Sequence, residues 1–249
     1  MRISKDFWLL SRPIAHRGLW GKTVVENSIT AYKLASEKGY PIEIDLYETS
    51  DGEIISFHDQ TLERLTGEKG YVYDKTLKQL KSLNILGSAE KIPTFDEVLK
   101  ICEGKSPLLI EIKNQPSKTV VEKIVDKLKD YNGEFAIQSF NPLYIKKVKR
   151  LAPQFIRGIL GTKTHAKGES FLNRFILKNL TLNFLIKPDF ISYSYEDLPL
   201  KKSAKKNLPV IAWTVTSLET EQKIKDFADN IIFEKYIPEK YNKTFTEKD

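Results

Sequence analysis

Two carboxylates, Glu43 and Asp45, stand two positions apart within an apolar run of the sequence. Side chains two apart in a strand point to the same face, so both carboxylates would share one side of a strand. Two buried carboxylates without a partner are costly, and a cation bound between them removes that cost. This spacing therefore indicates a metal site.

A second pair of charged residues has the same spacing. Glu111 and Lys113 are two apart at the end of another apolar run, so both side chains can point to one face. The candidate ligands Glu43, Asp45 and Glu111 offer only oxygen atoms, which suit hard cations. The sequence therefore predicts one divalent cation, Mg²⁺ or Ca²⁺. The alternative is that these carboxylates pair with cationic side chains, Arg17 or Lys113, and that no metal binds.

Two of the three histidines, His16 and His58, lie in the stretch 14–59 that also holds the first two carboxylates. Imidazole titrates near neutral pH, so both are candidates for general acid and base. A single histidine at a strand end is more often structural, whereas a pair that flanks a carboxylate cluster favours catalysis. The third, His165, lies in a loop rich in lysine and glycine and is expected to be exposed to solvent.

Apolar runs of strand length alternate with helical patterns along the chain, and a strand-helix-strand unit implies parallel pairing. About eight strands in 249 residues predict a parallel (β/α)8 TIM barrel. A doubly wound open sheet is the alternative. The predicted strands cover residues 13–15, 41–47, 107–112, 135–138, 155–160, 190–193, 209–213 and 230–233.

Residues 47–91 do not fit the alternation and predict a small insertion after the second strand, within a single domain that spans residues 1–249. Thr94 with Glu97, and Thr216 with Glu219, each have the spacing of a capping box that opens a helix. The first of these helices should end near Glu103 and the second near Phe227. Residues 170–182 predict another helix, and the charged tail after Pro238 should fray.

Active sites of (β/α)8 barrels lie at the carboxyl ends of the strands, and the candidate residues fall there. His16 and Arg17 follow the first predicted strand, and Gln138 and Trp213 end the fourth and the seventh. Charged side chains that converge on a barrel mouth survive burial only when they are paired or metal-bound.

The composition limits the partners. Lys+Arg 40 against Asp+Glu 33 gives +7, with a pI of about 9.1, yet no arginine-rich or aromatic-interleaved stripe supports nucleic-acid binding. The single cysteine, Cys102, excludes an intramolecular disulfide and is expected to be buried. No run approaches the roughly 20 apolar residues of a membrane span. We expect a cytoplasmic chain without stable membrane insertion, and the oligomeric state stays open.

Several segments together resemble the glycerophosphodiester phosphodiesterase family. They are HRG (16–18), EN (26–27), EID (43–45) and SDGEIISFHD (50–59), and the resemblance continues in IEIK (110–113), QSFN (138–141) and AWTV (212–215). It therefore spans nearly the whole chain. It implies the barrel fold and a metal held by Glu43, Asp45 and Glu111. It also implies that His16 and His58 act as general acid and base.

The resemblance implies metal-dependent hydrolysis of a glycerophosphodiester, a small-molecule substrate, to glycerol 3-phosphate and an alcohol. The glycerol 2-hydroxyl would attack phosphorus and give a cyclic phosphate that water then opens. The alternatives are a lysophospholipase D, which acts on lysophospholipids, and a barrel that binds phosphodiesters without catalysis. Arg17 and Lys113 would hold phosphate oxygens.

Five further residues have open roles. Glu26 and Asn27 either orient the metal-binding and catalytic groups or simply cap a helix, for which Ser28 is the other candidate. Asp59 is expected to orient His58. Trp213 would wall the glycerol pocket or pack in the core, and Gln138 is a further candidate for substrate binding.

Three departures from the family pattern bear on substrate selectivity rather than on reaction class. Val25 stands where the family has a proline, and Thr216 where it has an asparagine. The last strand, in IIFEKYIP (231–238), lacks the common Thr-Asp or Thr-Asn before the proline.

Overall fold

The computed structural model describes residues 3–164, 175 and 178–238 of the chain. Strands β1, β2 and β4 to β9 alternate with helices in the order of a parallel (β/α)8 barrel, which confirms the predicted fold class. The strands are β1 (Ile14–His16), β2 (Ile42–Glu48), β3 (Ile54–Ser56), β4 (Leu108–Ile112), β5 (Phe135–Ser139), β6 (Arg157–Gly161), β7 (Phe190–Ser194), β8 (Val210–Val215) and β9 (Asn230–Phe233).

The helices among the described residues are mostly short. They are α1 (Trp8–Ser11), α2 (Ile29–Glu37), α3 (Glu63–Thr66), α4 (Leu77–Ser82), α5 (Phe95–Cys102), α6 (Val120–Lys129), α7 (Pro142–Leu151), α8 (Asn183–Ile186), α9 (Lys202–Lys205) and α10 (Leu218–Ile224). Two 3₁₀ turns lie at Val72–Asp74 and Tyr195–Asp197. The chain divides into two compact units. One consists of Arg17–Phe135, and the second combines Met1–His16 with Ala136–Asp249.

In the unit Arg17–Phe135, strand β2 pairs in parallel with β4 and antiparallel with β3. All residues of β2 and β4 are buried, as is usual for parallel strands covered on both faces. The register of this pair places Asp45 directly opposite Glu111. Two acidic side chains from different segments thereby come to neighbouring positions in the sheet.

The segment predicted as an insertion contains β3, α3, the turn Val72–Asp74 and α4. Its apolar side chains form a hydrophobic core together with Tyr47 of β2 and with Ile92, which directly follows the segment. The core consists of Tyr47, Ile55, Phe57, Leu62, Leu65, Val72, Leu80, Ile85 and Ile92. Each large apolar side chain buried there contributes about 1.5–3 kcal/mol. The antiparallel pairing of β3 with β2 explains why this segment departs from the alternation of parallel strands and helices.

In the other unit, β1 pairs in parallel with β9, and parallel pairs continue through β8, β7 and β6 to β5. The side chain of Asn230 donates hydrogen bonds to the carbonyl oxygens of Leu9 and Arg12, at 2.8 and 2.6 Å. These contacts attach α1 and the start of β1 to β9. The first strand therefore ends, at His16, beside the carboxyl end of β9.

Of the two capping boxes predicted from the sequence, one is present in the structure and the other is not. Thr94 and Glu97 form the predicted capping box of α5, with Glu97 Oε2 accepting from the Thr94 N–H at 2.7 Å. The box predicted for Thr216 and Glu219 is wrong. Strand β8 continues to Val215, so the helix begins one residue later and Ser217 is its N-cap. The helix also ends at Ile224 rather than near Phe227.

Other expectations have mixed outcomes. Cys102 is buried, as predicted. Most of the helix predicted over 170–182, His165 and the tail after Pro238 lie outside the described residues. No helix in the described part of the chain has the length and apolar character that a membrane crossing requires.

The corrected cap gives a stability prediction. Ser217 Oγ accepts a hydrogen bond from the Thr220 N–H at 3.2 Å, so Ser217→Ala should lower the free energy of unfolding by about 1 kcal/mol. Thr216→Ala, at the neighbouring exposed position, is the matched control and should change it by no more than about 0.5 kcal/mol. Urea unfolding of both variants measures the difference, and an equal loss in the two would contradict the assignment of the cap.

Candidate functional site

Three buried carboxylates meet at the junction of β2 and β4. Glu43, Asp45 and Glu111 are 2%, 1% and 7% exposed, and each offers an oxygen atom within 4.8 Å of the others. The two-residue spacing on β2 places the first two on one face, and the parallel register brings the third beside them. The structure thus brings together the three predicted metal ligands.

Burial and mutual repulsion dominate the electrostatics of this cluster. Burial raises the pKa of Glu43 well above its usual value, and the charges of Asp45 and Glu111 raise it further. Burial also raises the pKa of Glu111, although the nearby Lys113 opposes the shift. The negative charge of these three carboxylates is unfavourable unless positive charge is added. Their oxygen atoms are the ligands that a hard divalent cation prefers, so the cluster fits such an ion.

Two cationic side chains already contact the cluster. Lys113 Nζ lies 2.9 Å from Glu111 Oε1 and 3.2 Å from Asp45 Oδ1, and Arg17 Nε lies 3.6 Å from Asp45 Oδ2. These pairs are the contacts expected in the metal-free alternative. Two positive charges still leave three carboxylates with one net negative charge. A bound divalent ion would bring the sum to about +1, which complements a singly charged phosphodiester.

The turn 16–18 holds Arg17 against the cluster through its backbone. The Arg17 N–H donates to Glu43 Oε2 at 3.2 Å, and Arg17 adopts a left-handed conformation with a φ of 59°. Gly18 follows with a φ of 82°, and a Cβ there would lie 2.7 Å from the carbonyl carbon of Ala31. Glycine is therefore required at this close approach to α2.

Asn27 contacts the cluster directly. Its Nδ2 donates to Asp45 Oδ2 at 3.0 Å, and its Oδ1 accepts from the Tyr32 hydroxyl at 2.7 Å. The Tyr32 hydroxyl also lies 2.6 Å from Ser56 Oγ. Ser28, not Asn27, is the N-cap of α2, since its Oγ accepts from the Ala31 N–H. Asn27 is therefore positioned to orient a carboxylate rather than to cap the helix.

Glu26 is buried and makes ion pairs with two arginines. Its Oε1 accepts from Arg17 Nη1 at 2.6 Å, and both of its oxygens accept from Arg64. Burial pushes the pKa of Glu26 upward, but the hydrogen bonds and charges of Arg64 and Arg17 outweigh it and leave the pKa below its usual value. The sequence reasoning missed Arg64, for which the only signal was a cation five residues after Asp59.

His58 follows β3 and lies 2.7 Å, through Nδ1, from Asp59 Oδ1, the contact expected for Asp59. An ionised carboxylate only accepts hydrogen bonds, so Nδ1 carries the proton and Nε2 keeps its lone pair in the neutral ring. Burial and the positive charge of Lys113 lower the pKa of His58 to about 4, against the opposing effect of Asp45. His58 is therefore neutral at neutral pH.

His16 has the same kind of partner in the other unit. Its Nδ1 lies 2.7 Å from Oε2 of Glu234, which directly follows β9. Burial alone would raise the pKa of Glu234, but the hydrogen bond and charge of His16 lower it to about 2. Glu234 was not among the predicted site residues, although it stands in the segment that departs from the family pattern.

The remaining two candidates lie in the unit that contains β5 and β8. The Gln138 side chain is buried, and its Oε1 accepts from the Ser192 hydroxyl at 2.6 Å. Trp213 is half-buried and packs edge-to-face on Phe140, with ring centroids 5.6 Å apart. Gln138 is the penultimate residue of β5. Trp213 lies inside β8, which continues to Val215 instead of ending at Trp213 as predicted. A part for either residue in substrate binding stays a prediction.

Comparison with known proteins shows that this chain is similar to glycerophosphodiester phosphodiesterases. A model of the "Glycerophosphoryl diester phosphodiesterase family" matches residues 16–232. A glycerophosphodiester phosphodiesterase of Caldanaerobacter subterraneus subsp. tengcongensis is 39% identical over 161 residues, which are 59% of this chain and 65% of that protein.

Solved structures share the fold over almost the whole chain. A glycerophosphodiester phosphodiesterase of Parabacteroides distasonis is 25% identical, with a TM-score of 0.75 over 94% of this chain and 95% of that one. An Oleispira antarctica phosphodiesterase, solved in complex with the product sn-glycerol-3-phosphate, is 22% identical, with a TM-score of 0.77 over 96% and 98%.

Neutralising any one carboxylate of the cluster is expected to weaken metal binding. Glu43→Gln, Asp45→Asn and Glu111→Gln should each weaken Mg²⁺ or Ca²⁺ binding by about tenfold or more, because each removes a charged ligand. Isothermal titration calorimetry measures the affinity, and the exposed Asp126→Asn is the matched control. Because neutralising Glu43 relieves repulsion, Glu43→Gln should not lower the Tm in the presence of a chelator. Unchanged affinity in all three variants would exclude the site.

Proposed function

Because the chain belongs to the glycerophosphoryl diester phosphodiesterase family, we propose that it hydrolyses glycerophosphodiesters to glycerol 3-phosphate and an alcohol. The family is one of phosphoric diester hydrolases, and the chain is an enzyme of this class, as predicted. The observation that carries the substrate assignment is the buried oxygen-ligand cluster with Arg17 and Lys113 against it. The product bound to the Oleispira phosphodiesterase supports glycerol 3-phosphate as the product here.

Glu43, Asp45 and Glu111 would hold one divalent cation, Mg²⁺ or Ca²⁺. Such an ion supplies positive charge that stabilises the negative charge developing on the phosphoryl oxygens. The protein's own cations complement it. Arg17 offers a planar fork that can hold two phosphate oxygens, while the Lys113 ammonium acts as a compact point charge. The net charge of about +1 for this assembly favours an anionic substrate with a single negative charge.

His58 has the properties of a general base. Its pKa of about 4 keeps the ring neutral at neutral pH, and the Asp59 contact directs the proton to Nδ1 and leaves Nε2 free to accept. In the proposed reaction His58 takes the proton of the glycerol 2-hydroxyl as that oxygen bonds to phosphorus. The bond from phosphorus to the alcohol oxygen breaks at the same time, and a cyclic phosphate forms.

His16 takes the complementary role of general acid and donates its proton to the departing alkoxide. The Glu234 carboxylate, 2.7 Å from its Nδ1, can accept a charge-assisted hydrogen bond from the ring. Water then opens the cyclic phosphate with the two roles exchanged: His16 takes a proton from water, and His58 returns its proton to the glycerol oxygen. After one complete cycle, each histidine has therefore returned to its starting protonation state.

A substrate panel tests the proposed function. Glycerophosphodiesters and lysophospholipids are assayed with Mg²⁺, with Ca²⁺ and with a chelator. We expect turnover of the glycerophosphodiesters with a divalent cation and loss of turnover with the chelator. Turnover of lysophospholipids alone would replace this assignment with the lysophospholipase D alternative, and binding of every phosphodiester without turnover would favour a non-catalytic barrel.

The histidine variants test the acid and base roles. His16→Ala and His58→Ala should each lower kcat by on the order of a hundredfold or more, the usual scale for acid-base residues. His165→Ala is the matched control, since the proposed mechanism assigns it no part, and should keep wild-type kcat. Near-normal turnover in His16→Ala or His58→Ala would remove that histidine from the mechanism.

A 2-deoxy analogue of the glycerol moiety tests the cyclic route. It keeps the phosphate and its contacts with the metal, Arg17 and Lys113, so it should still bind with modest loss. Turnover should be very slow, because the substrate's own hydroxyl is the nucleophile and its attack gains a large effective molarity. Direct attack by water predicts the opposite. A kcat at saturation within a fewfold of the parent substrate would exclude the cyclic mechanism.

A further inference from the structure

Arg64 links two carboxylates that each contact a residue of the proposed mechanism. Its Nη2 and Nη1 donate to Glu26 Oε1 and Oε2 at 2.7 and 2.9 Å. Its Nε and Nη2 donate to Asp59 Oδ2 and Oδ1 at 2.6 and 2.9 Å. Each carboxylate is therefore held by two hydrogen bonds, which is the forked geometry that fixes both position and orientation.

Each of these two carboxylates also contacts a residue of the proposed mechanism. Glu26 accepts from Arg17 at 2.6 Å, and Asp59 lies 2.7 Å from His58 Nδ1. The hydrogen bonds thus run without a break from Arg17 through Glu26, Arg64 and Asp59 to His58. All five residues belong to the unit Arg17–Phe135. The proposed phosphate-binding residue and the proposed base share one central guanidinium.

The core of the insertion determines where this guanidinium lies. Arg64 is the second residue of α3, a four-residue helix. Leu62 and Leu65, on either side of it in sequence, are 0% and 1% exposed in the insertion's own core. Gly67 ends the helix in the left-handed conformation, with a φ of 73°. The short helix is therefore anchored by packing, while the Arg64 side chain extends to the site.

We propose that Arg64 is a positioning residue that holds Asp59 and Glu26 so that His58 and Arg17 each keep their working orientation. The inference rests on the proposed function and adds to it a residue outside the predicted site. Arg64 does not contact the three metal-binding carboxylates in any described hydrogen bond or ion pair. Its effect on catalysis must therefore pass through Asp59 and Glu26, and this indirect action makes the proposal testable.

The two routes predict separable kinetic losses. The route through Asp59 affects the orientation of His58, which acts in the chemical step and so appears in kcat. The route through Glu26 affects the Arg17 guanidinium, which binds the phosphate in the ground state as well and so appears in KM. Arg64→Gln should lower kcat by about tenfold, the lower end of the range found for groups that orient metal ligands, and should raise KM by about fivefold.

A double-mutant cycle isolates each route. Arg64→Gln is made in the wild type, in Asp59→Asn and in Glu26→Gln, and kcat and KM are measured on one glycerophosphodiester at saturating divalent cation. In Asp59→Asn the added Arg64→Gln should change kcat by less than about twofold, and in Glu26→Gln it should change KM by less than about twofold, since residues that act as a unit are not additive.

Two further variants control for charge and geometry. Arg64→Lys keeps the charge but cannot serve two carboxylates with a fork, so it should recover only part of the loss. Lys81→Gln removes another cation of the insertion, which pairs with Glu97 at 2.5 Å, and should leave both constants unchanged. Thermal unfolding of every variant identifies any variant that has lost its fold.

The protonation of His58 provides a readout that a purely structural role would not change. Nitrogen NMR distinguishes the Nδ1–H from the Nε2–H form of a neutral imidazole. With three histidines in the chain, the spectrum of His58→Ala assigns the signal. Wild-type His58 should carry its proton on Nδ1, and Arg64→Gln should shift His58 to a mixture of the two forms while Lys81→Gln does not.

The outcomes separate the inference from the function on which it rests. Wild-type kcat and KM in Arg64→Gln, equal losses in all three backgrounds, or an unchanged His58 signal in a folded Arg64→Gln would each overturn the positioning role. A wild-type chain that hydrolyses no glycerophosphodiester would overturn the proposed function instead. In that case the NMR comparison still decides whether Arg64 positions His58.

Discussion

The repulsion among three buried carboxylates is the constraint on which the rest of the site depends. Glu43, Asp45 and Glu111 share one small volume, and burial makes their negative charge unfavourable. Buried charges persist only with compensation. Lys113 and Arg17 provide part of it directly, and the amide of Asn27 donates to Asp45. The remaining negative charge is what makes the cluster suited to a divalent cation and, through it, to a phosphodiester.

His58 and His16 are each paired through Nδ1 with a carboxylate of their own unit. Asp59 contacts His58 and Glu234 contacts His16, both at 2.7 Å. A carboxylate in this position determines which ring nitrogen carries the proton in the neutral imidazole. Burial and Lys113 lower the pKa of His58 and keep its ring neutral at neutral pH.

The insertion connects stability with the site. Its core of apolar side chains fixes β3 and α3. His58 and Asp59 follow β3, and Arg64 lies on α3. The candidate site residues of this unit consequently depend on two parts of the packing. The buried parallel pair of β2 and β4 positions the carboxylates, and the insertion core positions His58. Arg64 pairs with Asp59 of the insertion and with Glu26, which pairs in turn with Arg17 beside the carboxylate cluster.

The sequence by itself determined the features that depend on local geometry. Spacing by two places Glu43 and Asp45 on one strand face, alternation of apolar runs indicates the barrel, and Thr94 with Glu97 marks a helix start. Tertiary structure alone decided which distant groups meet. Glu234 reaches His16 across 218 residues, and Arg64 reaches Glu26 across 38. Even the cap at Ser217 rather than Thr216 depended on how far β8 pairs with β9. Periodicity describes neighbours within an element, whereas contacts between elements are set by packing, which no short spacing encodes.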